Sequence, residues 1–494
     1  MNRQLNRLAV VAVLLLVSLV VATTYWQAWA APGLQDRQDN AIQRVVQLTI
    51  ERGLIESSGE QAIFAANRPK KAHGQTLYYR RYPQHDLAAQ TIGYSTASRS
   101  QAGLEQSMND YLTGSNTNLS NAFKRALDKL GGGTVKGNSL LLTLRARAQR
   151  IAQEQLGSRC GAVVAMNVRT GAVYVMASTP SYDPNLIQTD YAKVLKIRGD
   201  CGDGSALLNR ATQGLFTPGS TFKIITAAAA LDTGAFTPAS TFEDPGYCME
   251  YGQKVSNAGN PEGPETFGHV NLVQGFQHSI NSVFCNIGKQ LGAKTILDYA
   301  KKFGFYKTPP LETPADERSP SGLYTPITHR LDDPKDPNAV DPGRLAFGQT
   351  TLLVTPLQMA MVAATVADGG VVPKPYVVQK VVAPDGSTVR ETKPGNLGRA
   401  IKPQTAAELT QMMVAAVQGG TGTAAQIPGV QVAGKTGTAE TAVNHVYTAW
   451  FVCFAPAYDP QVAVAVVLEK QANGFGGVVA APIAKLVLEA LLHG

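Results

Sequence analysis

An apolar stretch lies at the start of the chain. From Leu8 to Ala22 only Ser18 is polar, and the apolar character then fades through Thr23, Thr24, Tyr25 and Trp26. Carried on through Trp26 and Trp29, it reaches the roughly 20 residues that cross a bilayer as a helix. Arg3 and Arg7 flank its short end, which is therefore expected in the cytoplasm, while Tyr25, Trp26 and Trp29 suit the far interface. A cleaved signal peptide is the competing reading, because Ala28-Trp29-Ala30 offers small residues for cleavage. Either way the remainder is exported.

Residues 32 to 138 are polar and mixed, with helical patterns near 37–51 and 119–130, the second ended by Gly131-Gly132-Gly133. Leu140 to Leu144 then reads as a strand and 145–156 as a helix. Ala162 to Met166 and Ala172 to Ala177, separated by Arg169-Thr170-Gly171, form a β-hairpin pattern. Thr448 to Phe454 and Val462 to Leu468 repeat it around Ala457-Tyr458-Asp459-Pro460, and Pro482 to Leu492 reads as a closing helix. Two hairpins far apart, with helices between, predict an α+β domain whose sheet joins both ends of the region. The eight prolines of 306–343 mark a long loop or insertion. Expected divisions are a tail at 1–7, an anchor at 8–31, an N-terminal module at 32–138 and a catalytic domain at 139–494.

Composition narrows the function. A chain of 494 residues, 44% hydrophobic and 16% charged, is globular and long enough for two domains. The net charge of +8 is spread without a long Lys/Arg block, which argues against nucleic acid. The cysteines Cys160, Cys201, Cys248, Cys285 and Cys453 include no Cys-x-x-Cys pair, so metal-ligand spacing is absent; no cofactor is expected. One or two disulfides are allowed outside the cytoplasm, with the pairing open, and Cys453, in an apolar run, is expected to stay free and buried.

Three short motifs carry the chemistry. Thr217-Pro218-Gly219-Ser220-Thr221-Phe222-Lys223 opens an apolar stretch, placing Ser220 in the first turn of a buried helix with Lys223 one turn on. A serine hydroxyl needs a neighbouring base, and lysine can be one once burial lowers its pKa. An N-capping serine beside a surface lysine is the plainer reading of this motif. Ser220 is nevertheless the only serine with Lys three residues later. The second motif is Ser279-Ile280-Asn281. The third, Lys435-Thr436-Gly437-Thr438, reads as a strand with Lys and two hydroxyls on its outward face, Gly437 letting a ligand approach the backbone. The gaps are 59 residues from Ser220 to Ser279 and 156 from there to Lys435.

Ser-x-x-Lys, Ser-x-Asn and Lys-Thr-Gly in this order resemble class B penicillin-binding proteins, most closely the actinobacterial penicillin-binding protein A group. Arg52-Gly53-Leu54-Ile55 and Gly103-Leu104-Glu105 are similar to the family's non-catalytic, dimerisation or pedestal-like module. Pro180 to Asn185, Asn209-Arg210-Ala211, Phe347-Gly348-Gln349 and Gly419 to Thr423 are similar to its transpeptidase core. Asn167, where many relatives have Asp, and Glu56-Ser57-Ser58-Gly59 depart from the family pattern.

The resemblance implies a penicillin-binding and serine β-lactamase-like domain, an antiparallel sheet flanked by helices. It implies a peptidoglycan D,D-transpeptidase, inhibited by β-lactams and serving cell division or cell shape. Ser220 would attack the penultimate D-alanine of a stem peptide ending in D-Ala-D-Ala. Lys223 would be the base, Ser279 the proton relay and Asn281 a holder of Lys223 and the substrate amide. Lys435, Thr436, Gly437 and Thr438 would line the substrate carboxylate site, with Lys435 keeping it positive, and the N–H groups of Ser220 and Thr438 would form the oxyanion hole. A partner among the lipid-II-polymerising SEDS proteins is implied by analogy. A D,D-carboxypeptidase or β-lactamase would share the acylation machinery but pass the acyl group to water. A membrane-anchored β-lactam sensor would need a cytoplasmic output, for which the seven residues before Leu8 leave no room.

Overall fold

The computed structural model describes residues 2–25, 48–115 except 73, 98 and 99, and 135–493 except 203, 261, 262, 442–444 and 473. Trp26, Trp29, the Ala28-Trp29-Ala30 site, the 119–130 pattern, the triglycine and most of 37–51 lie outside the described residues.

Helix α1 (Asn2–Thr24) contains an 18-residue window, Arg7–Thr24, of mean hydropathy 2.4 and entirely exposed. Its length and composition fit a single-pass membrane anchor.

Strands β1 (Ile55–Ser57), β2 (Ile63–Ala72) and β3 (Gln75–Arg81) follow, and β4 (Ser139–Leu142) pairs parallel with β1. Helix α2 (Ala146–Leu156) leads into the hairpin β5 (Gly161–Asn167) and β6 (Val173–Thr179). Asn167 makes that turn: its Oδ1 accepts the Arg169 and Thr170 N–H groups and the Thr170 hydroxyl. The amide therefore does here what a carboxylate would do.

The centre of the chain supplies helix α3 (Lys223–Asp232), strands β7 (Thr241–Asp244), β8 (Tyr247–Glu250) and β9 (Gln253–Ser256), and helices α4 (Leu272–Gln277), α5 (Asn281–Lys302) and α6 (Pro356–Ala367). Strands β10 (Val378–Val382) and β11 (Thr388–Glu391) precede helix α7 (Pro403–Gly419). The last units are β12 (Ala433–Glu440), β13 (Val446–Ala455), β14 (Val462–Ala472) and helix α8 (Ala481–Leu492). The 306–343 region is mostly irregular, as its prolines imply, with short 3₁₀ turns at Ala315–Glu317 and Pro337–Ala339 and a helical turn at Pro342–Ala346.

Two sheets organise the α+β fold. The five-stranded antiparallel sheet runs β12-β13-β14-β5-β6, so both ends of the catalytic region meet in it. Strands β5, β6, β13 and β14 are largely apolar because helices cover both faces of the sheet: α6 packs on one, and α2 and α8 on the other, over two separate apolar clusters. The six-stranded sheet runs β11-β10-β4-β1-β2-β3 and mixes strands from the start and the later part of the chain.

Disulfides join Cys160 to Cys201 and Cys248 to Cys285, and Cys453 is free and buried. Burial pushes the Cys453 thiol well above its ordinary pKa, which leaves it an unreactive packing group.

Candidate active site

The nucleophile motif departs from its sequence reading in one detail. Gly219–Phe222 is a 3₁₀ turn and α3 begins at Lys223, so Ser220 sits on the tighter turn before the helix. Every residue of α3 is buried, while Ser220 is half-buried. The turn is pinned from two sides. Gly219 N–H donates to Gly348 O at 3.2 Å, and Gly348 has φ 76°, where an added Cβ would stand 2.3 Å from Gly219 O. Trp450 Nε1 donates to Thr217 O at 3.0 Å from the sheet side.

Lys223 Nζ donates to Ser279 O at 2.6 Å and to Asn281 Oδ1 at 2.8 Å, and lies 3.3 Å from Ser279 Oγ. Lys435 Nζ reaches the same Ser279 Oγ at 2.8 Å and Thr436 O at 3.1 Å. One serine hydroxyl thus lies between two lysines. Ser220 Oγ has no hydrogen-bond partner among the described residues, which leaves the nucleophile's oxygen open. Ser279 itself holds φ 59°, a left-handed conformation unusual for serine, at the junction of α4 and α5.

Burial sets the electrostatics. Both lysines are fully buried, Lys223 near the rings of Phe284 and Phe347 and Lys435 near Phe276. Loss of water, then repulsion from Lys435, holds the Lys223 ammonium well below its ordinary pKa. Desolvation lowers Lys435 to about 7. Burial thus works against the expectation that Lys435 keeps the site positive, and a carboxylate arriving beside it would favour its charged form.

Two readings of the third motif are also corrected. Successive strand residues point to opposite faces, so Lys435 cannot share a face with Thr436 and Thr438. Lys435 turns inward to Ser279, whereas Thr436 Oγ1 meets Thr421 Oγ1 at 2.6 Å and Thr438 Oγ1 accepts the Gly476 N–H at 3.3 Å. Gly437, expected to admit a ligand, instead admits the protein: an added Cβ would lie 2.8 Å from both Pro218 O and Thr221 Cγ2. Its bareness lets the edge strand β12 lie directly against the Ser220 turn.

Sequence reasoning missed the groups that hold Asn281. Its Nδ2 donates to Ser256 O at 3.1 Å on β9. Behind it, Asp244 accepts from Ser282 Oγ, from Asn257 Nδ2 and from the Gly246 and Phe267 N–H groups. The Cys248–Cys285 bond ties β8 to α5 beside this network. These partners follow no short spacing, so no local signal exposes them. Thr421 carried only a weak signal, the Thr421-Gly422-Thr423 string.

A buried Lys on the helix after an open serine, with a shared serine hydroxyl and a second lysine on an edge strand, defines a serine acyl-transferase site. Comparison with known proteins gives the family. The penicillin binding protein transpeptidase domain matches residues 161–489, and the penicillin binding protein A dimerisation domain matches 52–140. The chain is 35% identical to the peptidoglycan D,D-transpeptidase PbpA of Mycolicibacterium smegmatis, covering 100% of this chain and 99% of that protein. The structure of penicillin-binding protein A from M. tuberculosis as a ceftriaxone acyl-enzyme complex superposes with TM-score 0.79 at 31% identity, covering 91% of this chain and all (100%) of that one. The D,D-transpeptidase domain of a peptidoglycan glycosyltransferase from Eggerthella lenta gives TM-score 0.74 at 32% identity over 90% of this chain and 99% of its own. The chain belongs to the class B penicillin-binding protein transpeptidases.

Proposed function

We propose that this protein is a serine D,D-transpeptidase that crosslinks peptidoglycan stem peptides through an acyl-enzyme on Ser220. The observation that carries the reading is the buried Lys223–Ser279–Asn281–Lys435 cluster beside an open serine. A neutral lysine amine has two N–H groups and one lone pair. Its two short donations, to Ser279 O and Asn281 Oδ1, use the N–H groups and free the lone pair for a proton.

Ser220 Oγ attacks the carbonyl carbon of the penultimate D-alanine while its proton passes to Lys223 Nζ. The N–H groups of Ser220 and Thr438 stabilise the oxyanion, a role supported by the direct packing of β12 on the Ser220 turn. Collapse breaks the peptide C–N bond. Ser279 hands a proton to the departing amine, and Lys223 reprotonates Ser279. Terminal D-alanine leaves and an ester remains. The amine of a neighbouring stem then attacks that ester, its lost proton returns to Ser220 Oγ, and the crosslink is made. Thr436 and Thr438 from one face of the edge strand β12 and Lys435 from the other converge on the donor carboxylate, and a β-lactam enters the same path as a mimic of D-Ala-D-Ala.

Helix α1 anchors the chain once in the membrane, with the catalytic domain outside and a SEDS-type glycan polymerase as partner. The proposed divisions are 1–7 for the tail, 8–31 for the anchor, 32–138 for the non-catalytic module and 139–494 for the catalytic domain.

The test is a fluorescent penicillin on the purified ectodomain, with intact-mass detection. A stoichiometric adduct is expected on the native protein and none on Ser220→Ala; the same adduct on the alanine variant overturns the assignment. Incubation with polymerised lipid-linked substrate is expected to yield crosslinked dimers, and D-alanine release with hydrolysed monomer alone would make the enzyme a carboxypeptidase.

A further inference from the structure

A cleft of about 270 Å³ lies between the proline-rich 306–343 region and the β10–β11 hairpin. Its neighbour Tyr376 bridges to Ala172 at the start of β6, the edge of the five-stranded sheet opposite β12. The cleft is therefore separate from the Ser220 site. Four cations line it, Arg318, Lys374, Arg390 and Lys393, against one carboxylate, Glu312.

Glu312 is already committed. Its Oε2 accepts the Val377 N–H at 2.8 Å and the Val378 N–H at 3.4 Å, which fixes the floor of the cleft to the start of β10. Arg318 is half-buried and braced, donating to Pro309 O at 2.7 Å and Pro314 O at 3.3 Å. Lys374, Arg390 and Lys393 have no carboxylate within ion-pair distance among the described residues. The same hairpin does pair its other lysine, Lys380, with Glu391 at 3.2 Å. The net charge of the cleft is three positive, and the cations repel one another until an anion enters.

We propose that this cleft binds a phosphate group, carried either by a soluble phosphodiester polymer or by a lipid headgroup. Two guanidinium groups suit the bidentate geometry of phosphate oxygens, which a single lysine ammonium does not match. The volume admits a pyrophosphate or a phosphodiester link.

The experiment is titration calorimetry of the full chain in detergent with inorganic pyrophosphate at low salt. Saturable binding is expected, weakened at least about tenfold in Arg390→Gln/Lys393→Gln. Both side chains are exposed, so the variant is expected to keep its melting temperature and its penicillin acylation rate. Flotation with phosphatidylglycerol against phosphatidylcholine vesicles then identifies the source. A loss of phosphatidylglycerol binding in the variant supports a headgroup, and pyrophosphate binding without any variant-sensitive vesicle binding supports a soluble polymer. Equal pyrophosphate affinity in native and variant protein, no pyrophosphate binding, or tighter binding of polyglutamate than of pyrophosphate overturns the proposal.

Discussion

A lysine acts as a base only where the fold removes its proton, and Lys223 is so placed by burial first and by Lys435 second. The rate of acylation is therefore expected to rise with pH and level off well below the ordinary lysine value. In Lys435→Met the repulsion is gone, so the rise moves to higher pH; stopped-flow acylation with a chromogenic cephalosporin across pH reads this directly, and an unshifted profile would remove Lys435 from the tuning of Lys223. Stability has its own sign. The folded Lys435 titrates at about 7 against an ordinary 10.5, so between those values the unfolded chain holds more protons. Its contribution is least favourable below about 7 and improves as pH rises toward 10.5. A second residue-scale expectation concerns Gly437, whose added Cβ would stand 2.8 Å from Pro218 O. Gly437→Ala should part β12 from the Ser220 turn and slow acylation about a hundredfold, since misplacement of about 1 Å costs that much. The same lysine, serine and asparagine positions were legible in the sequence because each motif is a local string. Asp244, Asn257 and Ser282 were not, because what joins them is a fold contact between strand β7, the residue after β9 and helix α5.

At the scale of elements, the N-terminal module hangs on one carboxylate. Glu105, in the short helix Gly103–Ser107, receives Arg80 Nε at 2.6 Å and Arg52 Nη2 at 2.9 Å, all three side chains being buried. Burial pushes the Glu105 carboxyl up, but the two arginines more than reverse this and hold it below its ordinary value. Glu105→Gln leaves two guanidinium groups buried with no counter-charge, a loss of about 3–5 kcal/mol. Urea unfolding of the ectodomain should show it as a fall in midpoint. Because the folded pKa is depressed, the stabilisation is complete above the ordinary carboxyl range and is lost as pH falls through the folded value. The Cys248–Cys285 bond closes a loop with sequence separation 37, worth about 3–4 kcal/mol by loop entropy. A paired Cys248→Ala/Cys285→Ala variant should lose that stability and also acylate more slowly, because the bond fixes β8 against the helix that begins at Asn281. The sequence showed the hairpins and helices well where apolar periodicity was strong, as in β5–β6 and β13–β14. Pairing of the cysteines was closed to it, since four partners admit several connectivities and only the contact of β8 with α5 selects one.

For the whole molecule, the decisive fact is that the two sheets do not divide the chain into independent pieces. Strand β4 lies between β1 and β10 in the six-stranded sheet, so the first 142 residues and the segment around 380 share backbone hydrogen bonds. Their side chains share a core as well: Ile55, Phe64, Leu140, Val378 and Val381 belong to the same apolar cluster as Phe222 and Phe276 near the active site. Hydrophobic pattern places a boundary near 138, but it shows only where apolar runs stop and start and not which distant run they meet. A fragment of residues 161–494 would keep every catalytic motif, yet it would uncover β10, whose Val378 and Val381 are almost fully buried, and leave its edge unpaired. Scanning calorimetry is expected to give one cooperative transition for the ectodomain 32–494 and a lower, broader one for 161–494, with a smaller fraction of the shorter protein acylated by penicillin. Two separate transitions in the longer protein, with the upper one unchanged in the fragment, would mean that the N-terminal module is an appendage and that the shared sheet contributes little to the geometry at Ser220.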